Sequence, residues 1–287
     1  MRLLSLILFL IPALLFGQGK KIKSIQTSKQ IVYATVDRAG DFYVVLADGE
    51  IQKYDKQGER LQSFKHKGVP TLFDPTNAMR LLVYYRDLEE YAWLSPDLEL
   101  SSFLKIDPSF AIEPILLCPS GERDLWVLDA SDFSVKKINQ STGFTKVNPI
   151  TGTKSIGSEK GREQNNTSIT NEFIVKPDVI PSAVDIMSMR EYQNMLFLFD
   201  QKRGIAVYNN LGKLMRFIEV RNLKSYNFLG EELYFIENGK VKFLNMFSGE
   251  KSELKLEQPA DFVLLTDERI VLIKNDQLDV YEFQPLK

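Results

Sequence analysis

The chain has 287 residues, of which 36 are Lys or Arg and 38 are Asp or Glu, giving a formal charge of −2. At 44% hydrophobic residues it can bury a sizeable core, which excludes global disorder, and the near-neutral balance supplies no field for nucleic acid or an anionic membrane surface. One histidine and one cysteine exclude an intramolecular disulfide, a Cys/His zinc cluster and a CxxC redox pair.

The first element in chain order is an address. Arg2 is followed by the apolar run Leu3 to Phe16, then by small Gly17 and polar Gln18. The run falls short of the ~20 residues of a membrane span and fits a signal h-region. Residues 1–18 therefore read as a signal peptide cleaved near Gly17 or Gln18, with an uncleaved anchor as the alternative. The chain predicts an exported, periplasmic protein, and residues 19–287 a single domain.

A repeat then runs through that domain. Apolar quartets start at 42, 81, 125, 196, 233 and 270: Phe42 to Val45, Leu81 to Tyr84, Leu125 to Leu128, Leu196 to Phe199, Leu233 to Ile236 and Ile270 to Ile273. All but one of the steps lie near 40 residues, the period of a four-stranded propeller blade. Each quartet suits a strand buried on both faces, and the segment after it alternates as a half-exposed strand, as in Ile51 to Tyr54. Asp48-Gly49 and Asn238-Gly239 are hairpin turns, because such turns need positive φ. An apolar stretch before each quartet, such as Ile31 to Ala34, Ala183 to Met187 or Phe262 to Leu265, is the expected innermost strand.

One stretch reads two ways. Asn77 to Leu94 lacks Gly and Pro and spaces Leu82, Tyr85 and Leu88 as an amphipathic helix would, while the repeat phase makes it a strand pair. The long step between 125 and 196 contains 153–178, a polar segment whose only apolar run is Phe173-Ile174-Val175. It reads as an inserted loop, the alternative being a degenerate seventh blade. The terminal repeat has room for three strands, and Lys21 to Thr27 is an alternating strand with no blade of its own. The expected fold is all-β, a six-bladed β-propeller closed by that N-terminal strand.

Gly40-Asp41-Phe42-Tyr43-Val44-Val45, with Asp48-Gly49 and Tyr54-Asp55-x-x-Gly58, resembles a blade of the NHL-like propellers. With Asp74-Pro75-Thr76-Asn77, Tyr84-Tyr85-Arg86-Asp87 and Asp124 to Asp129, the pattern is similar to exported six-bladed propellers of Gram-negative bacteria, including outer-membrane assembly scaffolds. That resemblance implies a protein-binding scaffold of the cell envelope, associated peripherally with an outer-membrane complex. The alternative it carries is a metal-dependent lactonase- or hydrolase-like enzyme, because fold alone does not decide function.

The residues themselves assign no catalytic, cofactor or metal site. Acids expected near inner-strand ends are Asp37, Glu113, Asp185 and Asp267, hard oxygen ligands that would suit calcium, but no spacing ties them together. Cys118, within Ile115 to Cys118, reads as a buried structural thiol, and His66 as a solvated turn residue. Asn139, Asn165 and Asn166 match glycosylation spacing and read as ordinary loop residues. Tyr84, Tyr85, Arg86 and Trp93 have the composition of an exposed interface hot spot, unless Trp93 and one tyrosine pack between blades.

Overall fold

A computed structural model describes residues 19–121, 124–141, 144–146, 171–174, 186–210, 212–220 and 223–283. The signal reading of 1–18, Asp185, Asn165 and Asn166 lie outside the described residues.

The described residues form antiparallel sheets arranged as a six-bladed β-propeller. Strand β1 (Lys21–Gln26) is the outer edge of the last blade. Blade 1 is β2 (Ile31–Val36), β3 (Phe42–Leu46), β4 (Ile51–Tyr54) and β5 (Arg60–Phe64). Blade 2 is β6 (Leu72–Asp74), β7 (Leu81–Tyr85), β8 (Glu90–Leu94) and β9 (Leu100–Leu104). Blade 3 has β10 (Pro114–Ser120), β11 (Asp124–Asp129) and β12 (Ser134–Ser141), and two short strands, β13 (Phe144–Lys146) and β14 (Asn171–Ile174), both pair with β12. Blade 4 is β15 (Ile186–Tyr192), β16 (Met195–Asp200), β17 (Gly204–Asn209) and β18 (Leu214–Glu219). Blade 5 is β19 (Tyr226–Leu229), β20 (Glu232–Glu237), β21 (Lys240–Asn245) and β22 (Lys251–Lys255). Blade 6 is β23 (Phe262–Leu265), β24 (Arg269–Lys274) and β25 (Gln277–Glu282), completed by β1.

The apolar quartets are the second strands, where both faces of the sheet meet neighbouring blades. The core is accordingly a ring of wedges: each blade-to-blade interface holds its own apolar cluster. Leu46, Phe42 and Val44 of blade 1, for example, pack against Leu264, Val271 and Ile273 of blade 6. This geometry corrects the expectation that third strands are half-exposed. β4 is buried along its whole length, Gln52 and Lys53 included. Lys53 is satisfied from two blades: its Nζ donates to Pro96 O of blade 2 at 3.0 Å and pairs with Asp41 of its own blade at 3.2 Å. The half-exposed positions belong to the fourth strands, such as β5.

The terminal strands meet as expected, with Lys21 opposite Tyr281 and Gln26 opposite Gln277. Asp279 ties the seam: Ser24 Oγ donates to it at 2.5 Å and Lys21 Nζ lies 2.9 Å away. After a turn at 77–80 the chain is the strand pair β7 and β8, joined through a short 3-10 turn at Arg86–Leu88, so the repeat phase overrides the helical spacing. Within the stretch read as an insertion, Asn171–Ile174 pairs with β12 from Ser134 to Lys137 and forms part of the outer edge of blade 3.

Candidate functional site

The propeller axis opens at two mouths, one where the inner strands begin and one where they end. Inner strands carry their first residues to the entry mouth. There Val32, Met187, Phe199, Leu223 and Phe262 line a cavity of about 520 Å³, beside the Lys224–Asp261 ion pair at 2.6 Å. Blades 1, 4, 5 and 6 all contribute, so the cavity spans the axis. Val32 and Met187 are 41% and 50% exposed, and on the same face Ile112, just before β10, is 76% exposed.

The exit mouth is polar. Its cavity of about 310 Å³ is lined by hairpin residues Asp37, Arg38 and Gly40 of blade 1 and Thr266, Asp267 and Glu268 of blade 6, with Arg190 and Asn227 from inner strands. A neighbouring depression of about 540 Å³ shares Arg38, Thr76 and Tyr192 with it and extends over Met79 and Asn194. Tyr192 is fixed in the rim by stacking on Phe228 at 4.2 Å and by donating to Gly230 O at 2.7 Å.

Arg190 is 5% exposed and sits among groups from several blades. Its Nη1 donates to Asn227 Oδ1 at 2.5 Å and contacts Tyr226 O at 3.5 Å. Its Nε lies 3.9 Å from Asp74 Oδ2, beyond hydrogen-bond range. The other Asp74 oxygen accepts from Thr76 N at 2.8 Å and from the Thr76 hydroxyl, while the buried Oδ2 has no hydrogen-bond partner. Burial pushes the phenols of Tyr33, Tyr226 and Tyr234 upward, which keeps them neutral around the guanidinium.

The acids singled out in the sequence are divided by the fold. Asp37 and Asp267 reach the exit mouth, whereas Glu113 precedes β10 at the opposite end. Asp37 is a turn residue: it accepts from Ala39 N at 2.9 Å, Asp41 N at 3.0 Å and Tyr43 Oη at 3.1 Å. Burial raises its carboxyl pKa, partly offset by the hydrogen bond from Tyr43. Among the described residues no three His, Cys, Asp or Glu side chains are grouped to hold a metal ion.

The aromatic group is also divided. Tyr84 and Tyr85 are buried, which corrects the exposed reading: the second strand of a blade has no solvent face. Tyr84 Oη donates to Pro114 O at 2.5 Å and Arg86 Nε to Ile115 O at 2.8 Å, both toward blade 3 on the entry face. Trp93, opposite Leu82 near the other end of the blade, lies under the Arg80 guanidinium at 4.2 Å. Cys118 is fully buried and its thiol pKa is raised by desolvation. His66 is not simply solvated: its ring stacks on Phe103 at 3.9 Å and its Nε2 lies 3.5 Å from Glu90. His66 lies in a loop as expected, and the solvated reading failed because that loop crosses onto blade 2.

Sequence reasoning passed over Arg190. The available signal was its phase: Asp74, Cys118, Arg190 and Asn227 each stand six or seven residues before a quartet. At that phase the inner strand turns a residue toward the axis, where a charge must be paired.

No protein-family model matches the chain, and no curated protein matches it. Solved structures do. The WD40 domain of Neurospora crassa Pan2 superposes with a TM-score of 0.58 at 7% identity, covering 94% of this chain and 96% of that one. A streptogramin B lyase gives 0.52 at 12% identity over 93% of this chain and 87% of that one. Chaetomium thermophilum Raptor gives 0.55 at 10% identity over 95% of this chain and 29% of that one. At such identities the likeness is one of fold, the β-propeller. No described helix is long and apolar enough to cross a membrane.

Proposed function

We propose that the chain is an exported, non-enzymatic propeller of the NHL-like bacterial kind that binds another protein of the cell envelope. The observation that carries this reading is the entry face. Ile112, Met187 and Val32 stand exposed there on or beside inner strands fixed by the ring, and large apolar side chains held in the open on a rigid scaffold suit a partner surface. Arg86 lies on the same face and offers a rim charge. The separation of Asp37 and Asp267 from Glu113 removes support from the hydrolase alternative.

Crosslinking pull-down from envelope membranes tests the reading. Met187→Glu with Ile112→Glu should lower capture of the partner by about tenfold, as loss of a hot spot does, while the melting temperature stays unchanged. Capture that survives both changes places the binding surface elsewhere. Export is tested separately by mass spectrometry of the N-terminus: a start near Gly17 or Gln18 supports it, and an intact Met1 refutes it.

A further inference from the structure

We infer that the exit-mouth cavity is a binding site for a carboxylate group, held at its floor by Arg190. The floor holds N–H donors that make no direct hydrogen bond, beside one unpaired acceptor, Asp74 Oδ2, which stands 3.9 Å from Arg190 Nε. Arg190 makes its hydrogen bonds through Nη1 alone, so Nε and Nη2 have no hydrogen-bond partner among the described residues. Asn227 spends its Oδ1 on Arg190, and its Nδ2 likewise has none. Both side chains line the cavity although Arg190 is 95% buried. A guanidinium withdrawn this far from water and left with unused N–H groups is poised for a planar acceptor that takes two parallel hydrogen bonds. The volume, about 310 Å³, lies at the small end of ligand pockets.

The charges around the site select the class. Asp74 offsets part of the Arg190 charge from 3.9 Å, and the Arg38 and Lys56 cations at the rim are balanced by exposed Asp267 and Glu268. Asp37 has turned its oxygens into its own loop and onto Tyr43. A dianion such as phosphate finds no surplus of positive charge here, whereas a monoanion needs only the donor fork. The occupant is therefore a small carboxylate or the carboxylate of a polypeptide, an acidic side chain or a chain end. The site lies at the opposite mouth from the proposed partner surface and does not rest on it.

NMR of the purified chain, following the Arg190 side-chain Nε–H resonance, decides the matter. The probes are acetate, inorganic phosphate, and a short peptide with a free C-terminal carboxylate beside the same peptide amidated. Acetate and the free acid should shift the resonance saturably, and the amide should not. A free acid that binds more tightly than acetate assigns the site to polypeptide, and equal affinities assign it to small carboxylates. Asn227→Asp keeps the shape and the Arg190 contact but places a fixed carboxylate at the floor. It should weaken acetate by at least about tenfold, the scale of one charged hydrogen bond, with no loss of melting temperature. The inference is overturned if the amide binds as well as the acid, if phosphate binds more tightly than either carboxylate, or if neither carboxylate binds. Retained acetate affinity in a folded Asn227→Asp protein also overturns it. Should that variant fail to fold, the acid-against-amide comparison on the unaltered chain still gives the answer.

Discussion

Gly204 occupies φ +125° at the start of β17, where a Cβ would come within 2.1 Å of Ile218 O and 2.8 Å of Val220 N. Backbone atoms of a paired strand cannot move aside, so Gly204→Ala is expected to cost about 3 kcal/mol, combining strain with a displaced ladder. Gly239 in the β20–β21 turn, at φ +72° but facing open space, should cost only about 1 kcal/mol when changed to Ala. Thermal melting of the two variants checks the contrast. Asp279 makes the second residue-level prediction. Burial alone would raise its carboxyl pKa, yet hydrogen bonds from Ser24, Lys21, Gln258 and Gln277 hold it well below the usual range. A depressed folded pKa means stabilisation that is complete above about pH 4 and lost as pH falls through the folded value. Asp279→Asn should cost about 2 kcal/mol at pH 7, and the deficit should shrink in melts recorded toward pH 2. At this scale the sequence was legible for turns and opaque for the axis. Asn238-Gly239 announces its own φ values, but the role of Arg190 depends on Asp74 and Asn227, which reach it only when distant blades close into a ring.

Elements were legible wherever burial is two-sided. The quartets stand out because a second strand meets a blade on each face, and their recurrence near 40 residues, rather than the runs themselves, separates them from pieces of a buried helix. The same two-sidedness misled at Tyr84 and Tyr85, whose polar hydroxyls look like surface groups when read alone. Blade 3 was the hardest to read, because its outer edge is assembled from β13 and β14, strands separated by 24 residues of sequence. Polar composition marks 153–170 as a segment that buries little, whereas β14 pairs with β12 over Ser134 to Lys137. Replacing 153–170 by a short Gly-Ser link should leave the melting temperature within about 2 °C, since loop closure changes by only a few tenths of a kcal/mol. Removing 171–174 as well should lower it measurably by uncovering the edge of β12. Equal melting of the two deletions would mean that β14 contributes nothing to the blade.

The whole molecule depends on a seam between its two ends. Gly19 N donates to Glu282 O at 2.9 Å, and Ser24 and Asp279 meet across 255 positions of sequence. Deleting 21–26 should strip blade 6 of its outer strand, remove the Lys21 and Ser24 contacts of Asp279, and lower the melting temperature of the entire ring rather than of one blade. A single transition at an unchanged temperature would refute a structural role for the seam. This arrangement also sets an order of events during synthesis. Among the described strands β1 is made first and its partner β25 last. Until β25 has been made, the growing chain carries an unpaired alternating strand, β1, and exposed apolar faces of blade 1 at the missing interface. Blades can form one after another, but ring closure waits for β25, which makes it slow and leaves the open form prone to pairing with other chains. The ring cannot shut before β25 exists, so a chain cut short within Gln277–Glu282 leaves β1 and β24 each with an unpaired edge.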